Sequence, residues 1–259
     1  MGKVIVWNGM GMYGGLAVGA PLSILLQESL SILAPFVLIV LFPLLGYVIM
    51  RALPQVITLP QNQQLSFFSA IAMVWKSGSG LALASIGFGG IASFITLYFA
   101  QQSWEGAPFA ISAFGVGYIG TRIFCSGFPD KFGGSRVALF SLIVETVGLV
   151  LIWNATSAIG GITGALLTGL GMSLVFPSFG LIAVNRVSAL NRGMAMAAYN
   201  AFFDIGVGVT APLAGFIARD GSYDNIYALG AVAAAISAIL AYTELKTDRT
   251  RAHVIAKNG

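Results

Sequence analysis

The sequence predicts an all-α polytopic membrane protein of about eight transmembrane helices, and three observations carry that prediction. Of its 259 residues, 57% are hydrophobic and only 8% are charged, which lies outside the usual composition of water-soluble globular chains. Mean hydropathy is +0.88, and apolar stretches of about 20 residues, long enough to cross roughly 30 Å of hydrocarbon as helices, recur along the chain. Short alternating segments of the kind that build a barrel are absent, and lipid offers no partners to an open sheet edge, so helix remains.

The expected spans fall at about 4–27, 31–51, 77–101, 107–126, 137–155, 158–185, 194–218 and 223–243. The first runs past Gln27 without a small-residue cleavage site, so it reads as a retained helix rather than a leader. Residues 52–76 form the one long break. Pro54, Pro60 and the polar run Gln61-Asn62-Gln63-Gln64 precede Leu65, Phe67, Phe68, Ile71, Ala72 and Trp75 at helical spacing, which predicts a linker ending in an interfacial helix. The remaining connections are a few residues long, so sequential helices are expected to be antiparallel neighbours. Four segments result: two helices in 1–51, the linker in 52–76, six helices in 77–246 and a polar tail in 247–259.

Lys and Arg set the orientation. One side of the expected topology collects Lys3, Arg51, Lys76, Lys131, Arg136, Arg186, Arg192, Lys246, Arg249, Arg251 and Lys257, while the other holds only Arg219. The positive-inside rule places the basic side, and with it both termini, in the cytoplasm. No basic run is interleaved with aromatics, so the net charge of +4 speaks for topology and against nucleic acid. Cys125 is the only cysteine and His253 the only histidine, which leaves neither a disulfide nor a metal-ligand cluster to predict, and no cofactor is expected. Nothing places a nucleophile beside a base, so an enzyme is not expected.

The densest punctuation is the turn Gly127-Phe-Pro-Asp-Lys-Phe-Gly-Gly-Ser-Arg136, between two apolar runs that make a hairpin over 121–146. Its charges must sit in water or among headgroups. Arg122 precedes Asp130 by eight residues and Glu145 follows Arg136 by nine, so both reach a similar depth and are expected to pair across the hairpin. Asp204 lies near the middle of the seventh span, with Asn200 four residues before it and Gly208 four after, on one helical face. An ionisable group at that depth marks a cavity, and Asp204 is the candidate proton-coupling residue; a structural hydrogen-bonded Asp is the alternative. Pro21, Pro177 and Pro212 each interrupt a span and free a carbonyl where a bend could form. Tyr199, Asn200, Phe88 and Phe176 are the candidate cavity residues, with Phe94 and Tyr98 as further aromatics that could line a pocket or serve as helix contacts. Gly115-Val-Gly117-Tyr-Ile-Gly120 has dinucleotide-motif spacing but lies inside a span, so it is read as helix packing, as are Gly160, Gly161, Gly164, Gly169 and Gly171.

An internal match links the first and seventh spans at a shift of 191 residues: Gly2 with Gly193, Gly15 with Gly206, Val18 with Val209, and Ala20-Pro21-Leu22 with Ala211-Pro212-Leu213. Repeated helical units are how many transporters build two halves.

The turn resembles the cytoplasmic loop motif of the major facilitator superfamily, with Asp130, Lys131, Gly133 and Arg136 on the motif positions and Ser126 where its first glycine usually falls. Gly19-Ala20-Pro21 is similar to the Gly-Pro motif that antiporters of that family carry in their fifth helix. The runs from Trp7 to Leu22 and from Phe176 to Gly215 look like the YhhS/YfcJ-like bacterial efflux permeases, although Ile182 stands where that branch places an acid. The resemblance implies helices 5–12 of a twelve-helix fold, and so an N-terminally truncated chain whose four missing helices a separate polypeptide could supply. It also implies proton-coupled efflux of a small sugar- or drug-like solute across a bacterial inner membrane, with Asp130, Lys131, Gly133, Arg136, Arg122 and Glu145 in the gate. Uptake by symport, or a membrane fragment that transports nothing, are the alternatives.

Overall fold

The computed structural model describes residues 26–27, 29–52 and 65–258, except for the side chains of residues 220, 249 and 251–258. The first expected span, with Pro21 and the first member of the internal match, lies outside the described residues, as does most of the linker. Among the described residues there is no strand, and seven helices are long and apolar enough to cross a membrane. The protein is a multi-pass membrane protein.

The chain divides into two compact units. One holds α1, Ala34–Ala52, an apolar helix with Pro43 inside it and Arg51 in its last turn. The other holds α2 (Phe67–Gln101), α3 (Ala107–Cys125), the short α4 (Phe128–Phe132), α5 (Gly134–Trp153), α6 (Ala158–Asn185), α7 (Arg192–Ile217) and α8 (Asp224–Asn258).

Local chemistry sets the starts of these helices. Ser66 caps α2 by accepting from the Ser69 amide at 3.2 Å, and Ser157 caps α6 by accepting from the Gly160 amide at 3.4 Å. Gly106, at φ +93, and a proline in the first turn open α3. α2 has 35 residues, about 52 Å of helix and well beyond a hydrocarbon layer. The segment expected as a separate interfacial helix is therefore the first ten residues or so of α2, continuous with the span, because nothing after Ser66 breaks the helical register.

Packing within this unit departs from sequence order. α5 and α6 form the most extensive contact, α3 also packs on α6, and α2 packs on α7 and α8, while α8 covers α5. α3 and α5, the arms of the predicted hairpin, scarcely touch, because α6 receives both. In lipid, apolar surface gives no reason to prefer the sequence neighbour, so complementary small residues decide which helices meet. Gly148 of α5 and Gly164 of α6 lie face to face: a Cβ on Gly148 would sit 2.5 Å from the Thr168 nitrogen, and one on Gly164 would sit 2.7 Å from the Gly148 oxygen. Of the three spaced glycines of α3, only Gly117 packs, with a Cβ there falling 2.5 Å from the Leu166 oxygen. Gly115 and Gly120 face open space, which corrects the expectation that the whole motif served packing.

At the end away from the Asp130 turn, Tyr98, Phe99, Trp104 and Tyr227 form an aromatic knot, and the Tyr98 hydroxyl donates to the Ile152 carbonyl at 3.1 Å. Tyr98 is thus a packing residue rather than part of a pocket. Phe94 stacks only loosely on Tyr223 near the same end.

Candidate functional site

Four helices bring six rings into one run. Tyr118 and Phe114 of α3 lie 6.0 Å apart between centroids, Phe114 and Phe88 of α2 5.6 Å, and Phe88 and Phe203 of α7 6.5 Å. The run continues from Phe203 to Phe176 of α6 at 6.1 Å and from Phe176 to Tyr199 of α7 at 5.3 Å. Phe88 is half-buried and the other five rings are buried. Spacing explains the set: Phe114 and Tyr118, like Tyr199 and Phe203, are four residues apart and share a helical face.

Polar ties hold this face in place. The Tyr199 hydroxyl donates to the Phe176 carbonyl at 2.8 Å, and the Ser173 hydroxyl donates to the Tyr118 carbonyl at 2.7 Å, so α6 is fastened to both α7 and α3. Pro177 and Pro212 stand inside helices that stay continuous through them, so neither breaks a helix in this structure. Pro177 nevertheless cannot donate to the Ser173 carbonyl, which loosens the ladder of α6 at the level of the rings.

Arg122 lies where this run of rings begins. It is 3% exposed, its guanidinium carbon is 5.1 Å from the Tyr118 ring centroid, and its Nη2 donates to the Tyr118 hydroxyl at 2.8 Å. Nε and Nη1 are buried without a hydrogen-bond partner.

The expected Arg122–Glu145 pair does not form. Glu145 is fully buried, with neither carboxyl oxygen bonded, and it faces α2: a Cβ on Gly87 of α2 would lie 3.2 Å from its Oε1, next to the Leu149 methyl groups. The two arms of the hairpin each pack on α6 and scarcely on each other, so similar spacing from the turn does not bring the two side chains together. Among the described residues the ion pair that does form joins Arg186 of α6 to Glu244 of α8. A lone buried charge costs several kcal/mol, so both Arg122 and Glu145 are conspicuous.

Asp204 is exposed and Asn200 half-buried, on the part of α7 turned away from the Gly206 and Thr210 contacts with α2. Tyr199, Phe88 and Phe176 are therefore brought together, while Asp204 and Asn200 occupy a neighbouring face of the same helix.

The Asp130 turn folds as α4, which ends at Gly133 with φ +90, a conformation that any residue with a side chain adopts only under strain. Asp130, Lys131 and Arg136 are exposed, with Lys131 5.2 Å over the Phe132 ring. Beside them a polar cleft of about 460 Å³ is lined by Asp130, Ser135, Ile182, Arg186, Glu244 and Asp248, and Ser135 donates to Asp248. A second, apolar groove of about 460 Å³ runs between α3 and α5, lined by Thr121, Cys125, Phe132, Arg136, Phe140 and Leu174 among others.

Sequence reasoning missed Phe114, Tyr118 and Phe203, although their four-residue spacing from Arg122, from each other and from Tyr199 was available. It found Arg122 and assigned it the wrong partner.

Comparison with known proteins adds the family. A family profile described as Major Facilitator Superfamily matches residues 77–258. An uncharacterized MFS-type transporter of Salmonella typhimurium is 38% identical over 245 residues, covering 95% of this chain and 63% of that protein. Uncharacterized MFS-type transporters of Burkholderia mallei and Burkholderia pseudomallei are each 39% identical over 238 residues, covering 92% of this chain and 58% of theirs. The chain thus spans about three fifths of the length of these relatives.

Proposed function

Because the chain belongs to the major facilitator superfamily, we propose that it works in secondary transport, exporting a small organic solute in exchange for protons, with Asp204 as the carboxyl that loads and releases the proton. The observation that carries this reading is the exposure of Asp204 near the middle of a membrane-spanning helix. A carboxylate facing hydrocarbon is too costly to persist, so that face of α7 meets water or another polar surface, as a coupling site requires. The half-buried Asn200 one turn away adds an amide to the same face. The basic end of the bundle, with Lys131, Arg136 and Arg186, faces the cytoplasm in this reading and the membrane is the bacterial inner membrane. There Asp130, Gly133 and Arg136 serve the gate.

The test reconstitutes the purified chain into vesicles preloaded with radiolabelled thiogalactoside, ethidium or benzoate, with the pH dye pyranine reporting proton movement. An imposed inward proton gradient is expected to speed loss of at least one solute, and Asp204→Asn is expected to abolish that response while leaving the amount of folded protein unchanged. A gradient that moves none of the three solutes overturns the transport reading. An unchanged response in D204N removes Asp204 from the coupling role.

A further inference from the structure

The helices that carry the aromatic run, α2, α3, α6 and α7, have one acidic residue between them, Asp204, and it is exposed outside the run. Glu145 makes no ion pair with Arg122, and the Arg186–Glu244 pair uses another cation. Among the described residues Arg122 is therefore a buried cation with no carboxylate paired to it, beside the Tyr118 ring, with two nitrogens that donate to no described group. Its Nη1, and the second hydrogen of the Nη2 that bonds Tyr118, form the end of the guanidinium fork, the geometry that takes a carboxylate through two parallel bonds.

We propose that Arg122 anchors the carboxylate of an amphipathic organic anion, whose apolar body lies against Phe114, Phe88, Phe203 and Phe176. The proposal names the solute class for the transport reading above and rests on it for its physiological meaning, but binding itself can be measured without transport. One charge matches one charge. An inorganic phosphate would bring up to two negative charges and no apolar surface to a place with a single cation and aromatic walls, and a cationic dye would meet the guanidinium with like charge. At 3% exposure Arg122 is closed over in this structure, so the anion reaches it when the rings turn aside. Tyr199 and Phe176, joined by the hydroxyl-to-carbonyl bond, form the side of the site next to Pro177, where α6 lacks a ladder bond.

The test follows the thermal unfolding midpoint of the purified full chain in detergent against benzoate, its uncharged isostere benzamide, and inorganic phosphate. Benzoate is expected to raise the midpoint in a concentration-dependent way, and benzamide and phosphate are not. Arg122→Gln is expected to weaken benzoate binding about tenfold to a hundredfold, and Arg122→Lys, which keeps the charge and loses the fork, by less. Without ligand, R122Q is expected to unfold no lower than the wild type, because the substitution removes a buried charge that no carboxylate among the described residues pairs. The inference is overturned by equal responses to benzoate and benzamide, by a response to phosphate alone, or by unchanged benzoate binding in R122Q. An R122Q protein that fails to fold, together with a wild type blind to benzoate, also overturns it and makes Arg122 structural. Benzoate binding through Arg122 with no gradient-driven movement of any of the three solutes would leave this site standing and overturn the transport reading instead.

Discussion

Gly148→Ala tests whether the close approach of α5 to α6 holds the six-helix unit together. A methyl group on Gly148 would lie 2.5 Å from both the nitrogen and Oγ1 of Thr168 and 2.8 Å from the Gly164 oxygen, against an ordinary contact of 3.4 Å or more. Two of the three obstacles are backbone, and Oγ1 is held by its own bond to the Gly164 carbonyl at 2.8 Å, so no rotamer change can make room. The helices must separate locally by about 0.9 Å, a gap that forfeits roughly a quarter to a half of each dispersion contact it opens. Overpacking of this kind costs about 1–3 kcal/mol, and the better helix propensity of alanine returns up to about 1 kcal/mol. The expected net loss of roughly 1–2 kcal/mol corresponds to a fall of about 2–8 °C in the unfolding midpoint for a unit of this size. The assay heats purified protein in detergent and measures the surviving monodisperse fraction by size exclusion. Gly120→Ala, where nothing lies within 4 Å, is the control and is expected to hold or rise. A G148A protein as stable as G120A would refute the packing argument.

A double-mutant cycle on Arg122→Gln and Glu145→Gln is expected to show coupling below about 0.5 kcal/mol, because the two side chains share no partner; a coupling above that would mean that they meet. For the Arg186–Glu244 pair, Arg186→Gln is expected to destabilise more than Glu244→Gln, since it strands a carboxylate that is 3% exposed, whereas the stranded Arg186 is 25% exposed and can reach water. The expected losses are about 3 and 1 kcal/mol, and equal losses would show that the pair is not desolvated unevenly. Cys125, half-exposed on the apolar groove between α3 and α5, is expected to react in membranes with a lipophilic maleimide faster than with a charged methanethiosulfonate; the reverse order would mean that the groove is filled by protein or opens to water.

What could be read from the sequence is what depends on solvent. Span lengths, the boundaries of α3, α5, α6 and α7 to within a few residues, and the exposure of Asp130, Lys131 and Arg136 all follow from keeping charge out of hydrocarbon. Partner choice does not follow from it, because one apolar helix is worth as much as another to lipid. The Arg122–Glu145 pair was expected from depth alone, and depth leaves open which side of α6 each arm lies on. The glycines show the same gap. Gly117 and Gly120 look equivalent in the sequence, yet only Gly117 meets a backbone oxygen, because the outcome depends on the rotation of α3 against Leu166. The site was legible to a similar extent. Tyr199, Phe176 and Phe88 were named and do converge, whereas Arg122 became part of the site only when the structure showed two of its nitrogens buried without a partner among the described residues.

The two ionisable groups that matter to the proposed function are linked by one helix. Tyr199 and Phe203 stand in the aromatic run that begins at Tyr118, the ring on Arg122, and Asp204 directly follows Phe203, so α7 carries both rings of that run and the exposed carboxyl on its other side. An anion bound as proposed would lie against Phe203, and a rigid helix transmits a turn of Tyr199 or Phe203 to Asp204, five and one residues away, as a change in what the carboxyl faces. α7 is also lightly held on one side: it packs extensively on α2 but touches α6 mainly around the Tyr199 and Phe176 pair. A solute that perturbs that pair acts on the weaker of the two contacts, which is where a small differential binding energy can shift the balance between two positions of the helix. Coupling of solute to proton then needs no contact between the two sites, only that both positions of α7 be accessible and that solute and proton favour opposite ones.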